Sequence, residues 1–161
     1  MEWSRDEYIV TDDRSALDAE AVFGFLRESY WAKGISRETC LRSLENSLCF
    51  SLMHKGRQAG FSRAVTDRAT FAYLGDVFVL PEHRGQGLAK WMLGCALAHP
   101  DLQGLRRMML ATADAHGLYR PLGFAPLAQP EAFLEIHQPY AAPAAIGMDE
   151  GGDGDGDGIS A

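Results

Sequence analysis

The stretch DVFVLPEHRGQGLAKWMLGCALA, Asp76 to Ala98, decides the fold of this chain. It begins as an apolar run, stops at Pro81 and passes through the glycine-containing turn Arg84-Gly85-Gln86-Gly87. It then continues as a helix-forming run whose apolar residues recur at helical spacing. The pattern predicts a strand, a tight turn and a helix in direct succession.

This turn has the properties of an anion-binding loop. A helix N-terminus exposes backbone N–H groups and carries a partial positive charge. Glycine lets an anion approach the backbone closely and tolerates positive φ. Two common phosphate motifs do not fit, since G-x-x-x-x-G-K-[ST] needs a hydroxyl where Trp91 stands and G-x-G-x-x-G needs a glycine where Lys90 stands. We therefore expect a phosphate or pyrophosphate that is bound in another way.

The turn instead matches the pattern [QR]-x-x-G-x-[GA] at Arg84, Gly87 and Ala89. With this pattern the chain resembles the GCN5-related N-acetyltransferase (GNAT) superfamily, as a small, bacterial-type, single-domain member. The phrase HGLYRPLGF, residues 116–124, resembles the family's closing signature of a tyrosine shortly before a glycine-phenylalanine pair. The resemblance extends from about Tyr8 to Ile136.

Length and composition fit one globular domain that works in the cytoplasm. The chain has 161 residues, of which 47% are hydrophobic and 23% charged. No apolar run approaches the length of a membrane span, and the N-terminus MEWSRDEYIV lacks the features of a signal peptide. We expect no membrane partner. Cys40, Cys49 and Cys95 are widely spaced among apolar residues and are predicted to be buried, reduced thiols.

The acidic charge is concentrated at the C-terminal end. The formal charge is −7, but residues 141–161 hold five acids and no base, and without these five the remaining 17 acids nearly balance 15 bases. The sequence therefore predicts a folded domain over 1–140 and a disordered Gly/Asp-rich tail over 141–161. A nearly neutral body makes nucleic acid an unexpected partner.

Hydrophobic periodicity predicts an α/β fold. A mixed sheet, mainly antiparallel with one parallel pair, should carry helices on both faces. By resemblance this is the acyl-CoA N-acyltransferase fold, in which the parallel pair is splayed and holds the pantetheine arm. Helices are predicted over 17–29, from Ser36 onward and over 114–120. Strands are predicted at 8–11, 48–53, 58–65, 71–80, 108–111 and 133–136.

The resemblance implies acetyl-CoA as co-substrate and no metal. Its pyrophosphate would be bound mainly by loop amides, and its pantetheine arm would lie along the strand before the loop. The predicted cofactor contacts are Val77, Phe78, Val79, Arg84, Gly85, Gln86, Gly87, Leu88 and Ala89.

Three residues are candidates for the proton transfers. By resemblance, Tyr119 occupies the position of the tyrosine that faces the coenzyme sulfur, where a phenol can protonate the leaving thiolate. Many relatives carry a glutamate where this chain has Tyr73, which leaves the base open. Asp76 could attract an ammonium substrate or pass the substrate's proton to water. Alternatively, Asp76 has only a structural role and forms a salt bridge with an arginine. His116 could relay a proton or simply lie at a helix start.

By resemblance, the acceptor pocket is bordered by Tyr30, Trp31 and Tyr73, although Tyr30 and Trp31 could equally be core residues. The expected reaction is direct attack of a small-molecule primary amine on acetyl-CoA. Acetylation of a protein N-terminus or lysine stays open, as does a non-catalytic acyl-CoA-binding regulatory module. A homodimer is a further open possibility.

Overall fold

The computed structural model describes residues 1–140 and contains six strands and four helices. The strands are β1 (Glu2–Arg5), β2 (Tyr8–Thr11), β3 (Leu48–His54), β4 (Arg57–Thr66), β5 (Phe71–Val79) and β6 (Arg107–Met109). The helices are α1 (Ala19–Leu26), α2 (Arg37–Glu45), α3 (Leu88–Leu97) and α4 (His116–Tyr119). Short 3-10 turns lie at Arg14–Ala16, Pro81–His83, Pro100–Leu102, Arg120–Leu122 and Pro130–Ala132.

The six strands form one sheet in chain order. Four junctions, from β1 to β5, are antiparallel, and β5 and β6 are parallel. The parallel pairing extends only from Phe71 opposite Arg107 to Tyr73 opposite Met109. Beyond Tyr73, β5 runs on to Val79 without a β6 partner, so the two strands separate. The predicted mixed α/β architecture is confirmed.

Local capping explains where the first helices begin. The Asp18 side chain accepts a hydrogen bond from the N–H of Ala21 and caps α1. Ser36 caps α2 in the same way through the N–H of Thr39, as the sequence predicts. Helix α3 begins after Gly87, which has φ +70° and provides no capping side chain. Its first N–H groups are therefore left available.

Both faces of the sheet are buried, as expected when helices cover each side. One cluster packs the sheet against α3 and includes Phe50, Leu52 and Met92. The opposite cluster packs it against α1 and α2 and includes Leu26 and Phe61. Burying such a side chain contributes about 1.5–3 kcal/mol. These two clusters therefore hold the sheet in a fixed position between its helices.

Two sequence expectations need correction at the ends of the described region. Strand β1 was not predicted, although it forms a hairpin with β2. The strand predicted at 133–136 is wrong: Leu134 is 99% exposed and Ile136 94% exposed, and neither is in a strand. The largely apolar run Phe133-Leu134-Glu135-Ile136 favoured a strand, but a strand also needs an edge to pair with, and β6 offers only three residues. The predicted tail lies outside the described residues.

The three cysteines are free and buried, which confirms that prediction. Within residues 1–140, every helix is too short or too polar to cross a membrane.

Candidate active site

The glycine turn leaves a row of backbone amides pointing outward at the start of α3. Gly85 and Gly87 have φ values of +79° and +70°, which only glycine adopts readily. The N–H groups of Gln86, Gly87, Leu88 and Ala89 donate no hydrogen bond within the part of the chain that the structure describes. A Cβ at Gly85 would meet nothing within 4 Å, so the space beside the turn is open. This arrangement fits a pyrophosphate group.

The shape of this loop is fixed from behind. Arg84 Nε donates to the carbonyl oxygen of Val79 at 2.9 Å, which ties the loop to the end of β5. Gln86 Nε2 donates to the Tyr8 hydroxyl at 3.3 Å, and Arg5 Nη2 donates to the Gln86 carbonyl oxygen at 3.2 Å. The Tyr8 hydroxyl also lies 3.0 Å from His83 Nδ1. The N-terminal hairpin therefore supports the loop, a role that sequence reasoning missed because β1 was not predicted.

The separated edge of β5 leads directly into this loop. Its free part includes Val77, Phe78 and Val79, all predicted to contact the cofactor. The Phe78 ring stacks on Phe25 with ring centroids 3.9 Å apart, so its side chain belongs to the core. Backbone groups on this edge could pair with an extended ligand, as an added strand would.

Tyr119 lies at the wall of two cavities. The first, of about 330 Å³, is lined by the end of β6, by His116 and by residues 124–127. The second, of about 400 Å³, we call the aromatic cleft. Its polar and aromatic lining consists of Tyr30, Trp31, Arg63, Tyr73, Asp76, Thr112, Asp114 and Tyr119. Most predicted catalytic and substrate residues therefore come together in one cleft, whereas His116 faces the other cavity.

The phenol of Tyr119 stays protonated over the whole physiological range. Its side chain is buried and packs edge-on against Phe124, with ring centroids 5.9 Å apart. Burial raises the pKa of Tyr119 to about 12, and the neighbouring Tyr30, Asp114 and Tyr73 contribute to this rise. The group can therefore donate a proton or a hydrogen bond to an atom in the cleft.

Asp76 is held in an ion pair inside the sheet. Its Oδ2 accepts from Arg63 Nε at 2.5 Å, and its Oδ1 accepts from Trp31 Nε1 at 3.0 Å. The Asp76 side chain is 10% exposed, and burial of this kind requires such pairing. The salt bridge between Asp76 and an arginine, one of the two roles considered for Asp76 from the sequence, is thus present in the structure.

A backbone irregularity places Asp76 at this point. Asp76 has φ +52°, and the β4–β5 register shifts between Phe61 and Arg63. Regular alternation along β5 would place Asp76 on the same face of the sheet as Leu74 and Phe78, and the bulge breaks this alternation. Leu74 packs near α4 and Phe78 packs against α1, so the two lie in different clusters. The bulge instead turns Asp76 toward the aromatic cleft.

His116 is exposed at the first position of α4 and makes no side-chain hydrogen bond within residues 1–140. Its predicted role as a proton relay stays a prediction.

Sequence reasoning missed two charged residues of the aromatic cleft. Arg63 also donates from Nη1 to Ser47 Oγ at 3.0 Å, which fixes its guanidinium beside Asp76. Asp114 accepts a hydrogen bond from the Tyr30 hydroxyl at 3.2 Å. Arg63 carried a usable signal, because a single cation in the middle of an otherwise apolar strand needs a buried partner. Asp114 carried none beyond its closeness to Tyr119 in the chain.

Among residues 1–140, no group of three or more histidine, cysteine or acidic side chains could hold a metal ion.

A splayed parallel pair beside an amide-lined glycine loop, with a tyrosine near the gap, is the arrangement of acyl-CoA N-acyltransferase folds. The sequence profile described as "Acetyltransferase (GNAT) family" matches residues 3–124. The chain belongs to the GNAT family of acetyltransferases.

Known proteins agree with this assignment. A provisionally named GNAT acetyltransferase from Xanthomonas campestris pv. campestris, known as a crystal structure, is 46% identical with a TM-score of 0.83. That alignment covers 86% of this chain and 100% of the other. A provisionally named acetyltransferase from Gibberella zeae is 34% identical, in an alignment that covers 73% of this chain and 78% of its own.

A more distant structure shares the fold alone. It is an acetyltransferase from Clostridium acetobutylicum described with acetyl-CoA, 15% identical with a TM-score of 0.60, and it covers 81% of this chain and 94% of its own.

Proposed function

We propose that this protein transfers the acetyl group of acetyl-CoA to the primary amine of a small molecule, by direct attack in a ternary complex. One observation carries the proposal: an edge of β5 beyond Tyr73, unpaired among residues 1–140, connects the amides of residues 86–89 to the neighbourhood of Tyr119. The fold likeness to a protein described with acetyl-CoA supports the choice of co-substrate.

The loop and the strand edge would bind the two halves of the coenzyme. The amides of Gln86, Gly87, Leu88 and Ala89 would donate to the pyrophosphate oxygens at the positive end of α3. Backbone groups of Val77 and Val79 would hydrogen-bond to the pantetheine amides in the gap between β5 and β6. The residues present therefore fit this co-substrate along its length.

The chemical step needs no nucleophilic side chain. The amine nitrogen attacks the thioester carbon, the C–N bond forms, the C–S bond breaks, and one amine proton is released to water. Tyr119 donates its proton or a hydrogen bond to the departing thiolate. A covalent cysteine intermediate is not supported, because Cys95 faces the core and burial raises its thiol pKa.

The aromatic cleft is the proposed acceptor site. Tyr30, Trp31 and Tyr73 border it and are 62%, 40% and 39% exposed, so they are available for contact with a substrate. Asp76 would act through its charge and its hydrogen bonds, since its carboxylate oxygens are already occupied by Arg63 and Trp31. A cleft of about 400 Å³ suits a small molecule better than a folded protein surface.

A thiol-release assay with acetyl-CoA and a panel of amines tests the proposal, together with calorimetry using CoA. Amine-dependent release of CoA would support it. Coenzyme binding without any amine-dependent release would instead favour a regulatory module that binds acyl-CoA. If the folded protein produced no heat with CoA or acetyl-CoA, the proposal would be wrong.

A further inference from the structure

The aromatic cleft carries one uncompensated negative charge. Its charged lining residues are Arg63, Asp76 and Asp114. Arg63 and Asp76 neutralise each other in a direct ion pair. Asp114 has no cationic partner in the described part of the chain, and its only hydrogen-bond donor from a side chain is the neutral hydroxyl of Tyr30. The cleft as a whole therefore attracts a cation.

The walls of the cleft reinforce this preference. Tyr30 and Trp31 meet edge-on with ring centroids 5.1 Å apart, and Tyr73 also lines the cleft. Aromatic faces attract ammonium groups, most strongly where water is partly excluded. The Tyr30 hydroxyl also orients the Asp114 carboxylate by donating to Oδ1, and no residue among 1–140 donates to Oδ2.

The reacting nitrogen cannot be the group that Asp114 holds throughout the reaction. An amine attacks a thioester only after it has lost its proton, so its charge disappears before the C–N bond forms. An attraction that persists into the transition state needs a second cationic group that does not react. A single amine would bind at Asp114 in its charged, unreactive form.

We propose that the acceptor is a diamine, with one neutral amine directed toward Tyr119 and a second ammonium group held by Asp114 and the rings of Tyr30 and Tyr73. This inference rests on the proposed function, because it names the substrate class for the same cleft. It assigns Asp114 and Tyr73 as specificity-determining residues.

The first test compares binding of two products in the presence of CoA, by calorimetry. N-acetyl-1,4-diaminobutane keeps one ammonium group, whereas N-butylacetamide is otherwise similar and neutral. The cationic product should bind at least about tenfold more tightly. The Asp114→Asn variant should reduce that preference at least about fivefold, whereas Asp101→Asn, whose side chain pairs with Arg68 outside the cleft, should preserve it.

The second test measures turnover. Values of kcat/KM for 1,4-diaminobutane should exceed those for 4-aminobutan-1-ol, and Asp114→Asn should lower the first more than the second. Diamines with three to six carbons would locate the optimal spacing. Equal binding of the two products, or an unchanged preference in Asp114→Asn with intact circular dichroism, would overturn the inference.

Failure of the proposed function would look different. If CoA did not bind, or if no amine gave turnover, the proposed acetyl-transfer function would be wrong. The product comparison, made with and without CoA, still tests whether the cleft prefers a cation.

Discussion

Arg63 and Asp76 form a partly enclosed ion pair across β4 and β5, with Arg63 Nε 2.5 Å from Asp76 Oδ2. The two side chains are only 18% and 10% exposed. The pair lies at the bulge where β5 leaves its regular alternation, and Trp31 closes it from the other side. It therefore links the position of Trp31, which lines the aromatic cleft, to the geometry of the sheet.

Asp76→Asn should destabilise the fold by up to about 3 kcal/mol, because it leaves the Arg63 guanidinium enclosed without its counter-charge. Asparagine tolerates the positive φ at this position, so the substitution isolates the loss of charge. Urea denaturation measures the effect. The double variant Arg63→Met, Asp76→Asn should recover part of the loss, and a single variant as stable as the parent protein would contradict this account.

Tyr119→Phe should lower kcat by about 10²-fold or more while changing the Kd for acetyl-CoA less than about twofold. In the proposed mechanism the phenol acts on the developing thiolate, whereas the loop amides and the strand edge supply most of the coenzyme binding. Steady-state kinetics and calorimetry separate the two effects. Tyr140→Phe, at an exposed position, is the matched control and should leave both parameters unchanged. Unchanged turnover in Tyr119→Phe would remove this residue from the mechanism.

The pH dependence of kcat offers an independent check on Tyr119. Burial raises the pKa of this phenol to about 12. In the proposed mechanism the protonated form is the active one. The ordinary tyrosine pKa is about 10. Deprotonation of Tyr119 should therefore not reduce kcat between pH 7 and pH 10. A decline in kcat that is centred near pH 10 and is absent from Tyr119→Phe would show that the pKa of the phenol is not raised as the structure indicates.

The anion loop makes a matched pair of glycine substitutions informative. Gly87→Ala places a Cβ on a residue with φ +70° at the start of α3, which should cost about 1–2 kcal/mol and weaken CoA binding. Gly94→Ala lies in the interior of α3, where a Cβ meets nothing within 4 Å. It should stabilise the protein by about 0.5–1 kcal/mol. Thermal unfolding would measure the stability of both variants, and CoA titration would measure their affinity for CoA. Equal effects of the two substitutions on CoA affinity would contradict pyrophosphate binding by this loop.

The contribution of Asp12 to the stability of the fold depends on pH in the acidic range. Burial alone would raise the pKa of Asp12, but hydrogen bonds from the N-terminal ammonium and from His99 outweigh burial and lower it. A lowered folded pKa means that Asp12 stabilises the fold above its ordinary pKa of about 4 and loses this effect as the pH falls further.

The Asp12→Asn variant should therefore be less stable than the parent protein by about 1 kcal/mol at pH 7, measured by urea denaturation. The difference should shrink below pH 4. Glu135→Gln, at an exposed position, serves as control. A difference that persists unchanged at pH 3 would assign the effect to something other than the Asp12 charge.

Local sequence patterns were sufficient to predict the anion-binding loop and most strands of the sheet. The Gly85–Gly87 turn and the helix start at Ser36 each depend on residues within a few positions of one another. Such signals are readable without knowing what lies elsewhere in the fold. The mixed sheet followed from the order of these elements.

Long-range relationships were not accessible in the same way. The bulge at Asp76 arises from the pairing of β4 with β5. Its local signal is Gly75, since a glycine inside a strand can mark a bulge, but this signal does not give the direction in which Asp76 points. The support of the loop by Tyr8 joins positions 78 residues apart. Leu134 and Ile136 show the opposite failure, because the largely apolar run that contains them favours a strand that lacks an edge to join.

The three-residue pairing between β5 and β6 has a mechanical consequence. Residues 107–140, which include Tyr119, are attached to the sheet by one of the shortest ladders in the molecule and by a small cluster around Leu93. A coenzyme arm in the gap would add hydrogen bonds to the two strands where β5 and β6 no longer pair with each other. Slowed amide hydrogen exchange at Leu110 and Thr112 on addition of CoA would show that the coenzyme holds residues 107–140 against the sheet.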